Sequence, residues 1–246
     1  ILYLIKENRR FLGDERMKRF GIDNPFFGFM GRVGDILILN VLFIITSIPI
    51  VTIGMSLSAM YRVTLRMERK ECVYVAKEYF SAWKEEWKKS TGIWLIMLAT
   101  GILLTFDLMV AKNMWSLLNI AVGALTFIWG MVFTYVFAVQ TRFENTVKNI
   151  FKNAGYMAVR HFPFTIIMLV LNMIPAVCIV FGSVTMALAT PVYVAVGFSL
   201  TARINAIFLN KIFQRYISEE TAENEKDYDS GLFGEKEEKN ADHARA

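Results

Sequence analysis

Long uncharged runs alternate along this chain with short segments in which apolar and charged residues recur at helical spacing. The longest run follows Asp35: 26 residues without a formal charge lead to Tyr61, and Arg62, Arg66, Arg69 and Lys70 follow. A helix crossing a hydrocarbon core of roughly 30 Å needs about 20 apolar residues, so this run is long enough to span. Pro49 and Gly54 interrupt it near the middle. It therefore crosses once or folds back as two arms. Further spanning helices are expected over 92–111, 115–139, 164–182 (with Pro175 inside) and 184–202, the last continuing as an amphipathic helix toward Tyr216.

Two segments differ in kind. Over 71–90, Val73, Val75, Phe80, Trp83 and Trp87 recur every three or four residues, with Lys77, Lys84, Glu85, Lys88 and Lys89 largely opposite. That is an amphipathic helix with a Trp and Phe face, suited to the membrane interface, to a partner protein, or to covering its own neighbours. Residues 141–161 repeat the theme, with Val147, Ile150, Phe151 and Ala154 on one face. The two are also alike in register: 77–99 aligns with 148–170, and Lys, Phe, a basic residue and Ile-Met-Leu coincide. A weaker pairing joins Ser47–Ala59 with Ala189–Ala202. An internal repeat of interfacial helix followed by spanning helix is the expectation. The fold class is therefore all-α: a polytopic membrane helix bundle of about five to six membrane helices and two amphipathic interfacial helices.

Composition agrees with that pattern. The chain is 55% hydrophobic and only 20% charged, with a mean hydropathy of +0.40. A soluble domain carries about 25% charged residues and no apolar runs of 20, so the lipid bilayer is the first partner. Residues 1–16 have neither a long apolar core nor a small-residue cleavage site, and Met17 makes a more natural start, so they read as an N-terminal extension. Residues 17–216 form the membrane domain. The tail, 217–246, is Glu-rich, poor in apolar residues and expected to be disordered.

Charge sets orientation. The net charge is +5, and the tail alone carries −6, so the remainder holds +11, concentrated beside the apolar runs. The positive-inside rule accounts for this better than nucleic-acid binding, which is not expected. Segments 62–91 and 141–161 and the C-terminus are placed in the cytoplasm, in a multi-pass cytoplasmic-membrane protein. The basic N-terminal region then favours a folded-back first span, broken at Pro49–Gly54.

Candidate chemistry is sparse. Two histidines and two cysteines, Cys72 and Cys178, form no ligand spacing, and no nucleophile set, phosphate loop or dinucleotide fingerprint is present. No catalytic, cofactor-binding or metal residues are assigned, and the chain is read as not an enzyme. Asp35, Asp107 and Arg203 sit near helix ends, as interface-level charges do. Deeper polar residues, including Asn172, suit interhelical hydrogen bonds. The candidate site is the membrane break, with Asn40, Pro49, Gly54, Ser56 and Ser58, because irregular backbone at membrane depth is tolerated only when buried in protein or lining a cavity. The candidate partner face is Phe80, Trp83 and Trp87.

The blocks DNPFFGFMGRVGDILILN, SIPIVTIGMSLSAMYRVTLRM, EYFSAWKEEWKKST and NTVKNIFKNA resemble the YesL-like family of bacterial integral membrane proteins, over about Met17 to Tyr216. The chain departs mildly at Ser58-Ala59-Met60-Tyr61, where the family commonly has Thr-Ala-Leu-Tyr, and at Tyr79-Phe80-Ser81-Ala82-Trp83. The family is one of unknown function. Its members lie beside genes for carbohydrate uptake systems, which implies an accessory or regulatory role, with carbohydrate ABC transporter subunits as partners. The alternative is a small solute permease with its site at the Pro49–Gly54 break.

Overall fold

A computed structural model describes residues 25–71, 73–111, 116–143, 145–180, 187 and 190–218. The N-terminal extension, most of the acidic tail, Cys72 and the segments after Ala111 and Val180 lie outside the described residues. Within them the chain is all-helical, a polytopic bundle of eight helices. Four are long and apolar enough to cross a membrane, and a bent pair raises the number to five.

The first long apolar run divides differently from the sequence expectation. Helix α1 covers Pro25–Thr46, a 3-10 turn covers Ile50–Thr52, and α2 covers Ile53–Glu68. At 1.5 Å per residue the 22 residues of α1 reach about 33 Å, a full crossing by themselves. The run divides unevenly: the first helix starts ten residues before Asp35 and stops before Pro49. Pro49 has φ −74° and ψ 124°, an extended conformation that ends the helix ahead of it.

Helix α2 is the hub. It packs on α1, on the amphipathic α3 (Val75–Glu85), on α4 (Trp87–Ala111) and on α5 (Ser116–Arg142). Ten of its 16 residues are buried, among them Ala59, Val63, Thr64 and Leu65. It ends in a Schellman motif: Glu71 N–H donates to Arg66 O (3.2 Å) and Lys70 N–H to Met67 O (3.1 Å). Lys70 holds the left-handed position, φ 59°, usually given to glycine.

Helices α4 and α5 form an antiparallel hairpin, fixed by Gln140 against Ser90, by Trp94 against Phe137 and by Trp129 against Thr100. Helix α6 (Val147–Arg160) then meets α7 (Phe162–Val180) at a 106° bend, and α8 (Thr190–Ser218) closes the bundle. The expected repeat has a counterpart in the backbone. Each amphipathic helix, α3 or α6, joins its apolar successor through one residue of nearly the same conformation: Glu86 at φ −112°, ψ 26° and His161 at φ −110°, ψ 40°.

Charge and core gather at one end. The arginines of α2, the start of α4 and the end of α5 meet there. Between Leu98 and Val110 no residue of α4 is buried. Lipid tails are as apolar as leucine, so those outer turns need no protein cover. Thr46, the last residue of α1, lies at the charged end beside Tyr79, whose neighbour Glu78 pairs with Arg62 and Arg66. Ile36 and Asn40 instead contact residues 193–199, in the apolar first third of α8. Helix α1 thus leads from the apolar first third of α8 toward the α2–α3 charge cluster, and Phe29–Thr46 is by length and composition a candidate span of its own.

Candidate functional site

The break between α1 and α2 satisfies its own polar groups. Thr52 Oγ1 reaches Thr46 O (2.6 Å) and Pro49 O (2.7 Å), and Thr52 N–H donates to Pro49 O (3.0 Å). Trp94 Nε1 donates to Ile50 O (2.8 Å) from α4. Around the last turn of α1, Thr46 Oγ1 lies 2.6 Å from Tyr79 OH and 2.8 Å from Ser56 Oγ, and its own proton goes to Leu42 O. Burial raises the Tyr79 phenol above its ordinary value, so it stays a neutral donor. Backbone that leaves a helix among apolar surroundings must find partners in this way.

Each sequence-nominated residue of the break has a definite place. Pro49 sits at an exposed tip whose neighbours are apolar, Ile48 being 76% and Ile50 63% exposed. Gly54 faces α4 so closely that a Cβ would stand 2.4 Å from Trp94 Cβ and 2.6 Å from Ser90 O. Ser56 and Ser58 are buried, the latter donating to Gln140 Oε1 at 3.3 Å. Gly54, Ser56 and Ser58 join helices through these contacts. Asn40 stands apart from them, and its role is on α8. Tyr193–Gly197 widens there into a π-helix, and Asn40 Nδ2 donates to Tyr193 O (3.1 Å) and Val194 O (2.7 Å) while its Oδ1 accepts from Ser199 N–H (3.0 Å). One buried amide thus bonds to main-chain groups at and beside a widened turn.

A cavity of about 140 Å³ lies between α1, α2, α5, α7 and α8. Two irregularities border it: Pro175, inside α7, and Tyr193, in the π segment. Its lining is mainly apolar, with Tyr61, Thr134, Asn172, Tyr193 and Thr201 as polar members. Asn205 Nδ2 donates to Asn172 Oδ1 (2.9 Å) and approaches Tyr61 OH (3.4 Å), while Asn205 Oδ1 is buried without a partner. Asn172 had been legible as a polar residue in an apolar run. Asn205 had not, because it follows Arg203 in a stretch that reads as amphipathic helix.

On α3 the buried face is Val75, Tyr79 and Ala82, rotated from the Trp and Phe stripe read from spacing. Phe80 and Trp87 point outward, 42% and 52% exposed. Trp83 is half-buried against the core, with its indole N–H unpartnered. The flank of that buried face carries the carboxylates. Glu78 accepts from Arg62 (3.2 Å) and Arg66 (2.6 Å), and Glu85 from Arg62 (2.6 Å); next to the helix, Glu71 accepts from Arg66 and Arg69 (2.6 Å each). The Arg69 bond, with that of Arg66, holds the Glu71 carboxyl below its ordinary value. Among the described residues no group of three or more His, Cys, Asp or Glu could hold a metal ion.

Residues 36–108 match the family model described as "Protein of unknown function, DUF624", the YesL-like family. The match runs from α1 through α2 and α3 into α4, under a third of the chain. No curated protein and no solved structure matches.

Proposed function

We propose that this is a non-enzymatic integral membrane protein that assists carbohydrate uptake by binding subunits of a carbohydrate ABC transporter. The observation that carries the reading is two outward aromatics, Phe80 on the amphipathic α3 and Trp87 at the start of α4, where the other faces of α3 are already committed, to the core through Tyr79 and to arginines through Glu78. Exposed aromatics beside a charged rim are the usual anchors of an interface. The carbohydrate system comes from the family resemblance, whose members lie beside such genes. In this reading the charged end faces the cytoplasm, as its lysines and arginines favour.

The test is a detergent pull-down scored for transporter subunits by mass spectrometry, beside sugar-resolved uptake in a deletion strain. Phe80→Ala with Trp87→Ala should abolish recovery while leaving the melting curve of the purified protein in place, since neither side chain is in the core. Wild-type protein that purifies without transporter subunits refutes the reading. A second reading, a small solute permease, is favoured by the cavity between Pro175 and the π segment. Its volume is below the roughly 300 Å³ at the lower end of small-molecule sites, so transport would require the helices to part. Liposomes that accumulate no sugar or sugar acid exclude that version for those solutes.

A further inference from the structure

A second cavity, of about 280 Å³, opens at the charged end between the C-terminal turns of α2 and α5 and the α3–α4 junction. Four arginines line it, and three of them are spoken for. Arg62, Arg66 and Arg69 bond to Glu71, Glu78 and Glu85, a balanced set of three cations and three anions. Arg142 is the exception. Its Nε is buried without a hydrogen-bond partner, and none of the ion pairs among the described residues involves it. A guanidinium donor taken from water and left unmatched is costly, and an anion supplied from outside relieves that cost.

The wall beside Arg142 is also prepared. Gln140 is buried, and its Nε2 donates to Glu86 Oε2 (2.9 Å) and to Ser90 Oγ (2.6 Å), while its Oε1 accepts from Ser58 (3.3 Å). This amide holds Glu86 at the cavity edge without neutralising it. A fixed carboxylate accepts hydroxyl protons, and Thr141 adds a hydroxyl to the same lining. One pocket therefore presents an unmatched guanidinium for an anion and a positioned carboxylate for hydroxyl groups.

The geometry points to a binding site for a phosphate ester that carries free hydroxyls, with its phosphate on Arg142 and a hydroxyl on Glu86. Guanidinium and phosphate pair with two parallel hydrogen bonds, and the cavity exceeds what a bare phosphate fills. Such a group occurs as the headgroup of phosphatidylglycerol and as a free sugar or polyol phosphate. The inference goes beyond the transporter-partner reading and does not rest on it.

The test uses the full chain. One arm titrates detergent-purified protein calorimetrically with glycerol 3-phosphate, and with inorganic phosphate as the probe lacking hydroxyls. The other compares nanodiscs of phosphatidylglycerol and of phosphatidylcholine for bound lipid by native mass spectrometry. Saturable binding in the first arm identifies a soluble ester, and selective retention of phosphatidylglycerol in the second identifies a lipid; either supports the site. Arg142→Gln should weaken the responding probe on the order of 10-fold, equivalent to about 1.4 kcal/mol. Arg142→Lys should retain part of the affinity, and Lys148→Gln, outside the cavity, should retain all of it. Glu86→Gln should weaken glycerol 3-phosphate more than inorganic phosphate, or phosphatidylglycerol retention in the lipid arm. No saturable binding in either arm, or wild-type affinity in a folded Arg142→Gln protein, overturns the proposal.

Discussion

Replacing Gly54 with alanine tests the packing that makes α2 the hub. The added Cβ would stand 2.4 Å from Trp94 Cβ and 2.6 Å from Ser90 O, where ordinary contact begins at 3.4 Å. Neither neighbour is the free end of a flexible side chain, since one is a main-chain oxygen and the other the root of an indole. Relief therefore requires α2 and α4 to separate by about 1 Å, which would also strain the Trp94 bond to Ile50 O. Overpacking of this kind costs about 1–3 kcal/mol, and a clash against backbone belongs at the upper end. Alanine gains about 1 kcal/mol over glycine in a helix interior. The net expectation is a destabilisation of about 2 kcal/mol, measured by titrating the protein from micelles with SDS and following tryptophan fluorescence. Gly92→Ala is the control. It lies on α4 with nothing within 4 Å of its would-be Cβ, and should be neutral or stabilising by up to about 1 kcal/mol. Equal effects of the two substitutions would refute the close approach of α2 to α4.

Asn40→Leu withdraws the partners of two carbonyls and one amide on α8. With about 1–3 kcal/mol per buried unpaired group, moderated by alternative partners in a membrane, the loss should be about 2–4 kcal/mol in the same titration, and less than 0.5 kcal/mol would count against the bridge. Lys70→Gly removes left-handed strain of about 1–2 kcal/mol at some entropic cost, so a gain of about 0.5–1 kcal/mol is expected; a loss would contradict the Schellman geometry. The Glu71 carboxyl lies below its ordinary value of 4.5 in the folded protein. Its contribution is therefore present above that pH and lost as the pH falls through the folded value. Melting curves from pH 6 to 3 should show a fall that Arg69→Gln diminishes, and identical profiles would remove Arg69 as its cause.

What the sequence determined by itself was the environment and the inventory of helices. Uncharged runs of 20 or more residues leave only helices able to satisfy their backbone in lipid, and apolar spacing marks α3 and α6 as amphipathic. The succession of an amphipathic helix and an apolar one was legible twice, at α3–α4 and at α6–α7. Three things were decided only in three dimensions. The first was the path of the opening run. Continuity of apolar residues cannot separate a lipid-facing span from a protein-buried helix, so α1 and α2 read as one segment until their packing differed. The second was the role of the break. Ser56, Ser58 and Gly54 were nominated because irregular backbone needs partners, and their neighbours, Thr46 across the break and Gln140 and Trp94 from other helices, are set by tertiary contact. The third was charge pairing. Arg62, Arg66, Arg69 and Arg142 are equivalent in sequence; the turn that brings Glu71 back to Arg66 and Arg69, and the placement of α3 against α2, together consume three of them and leave Arg142 Nε buried without a partner.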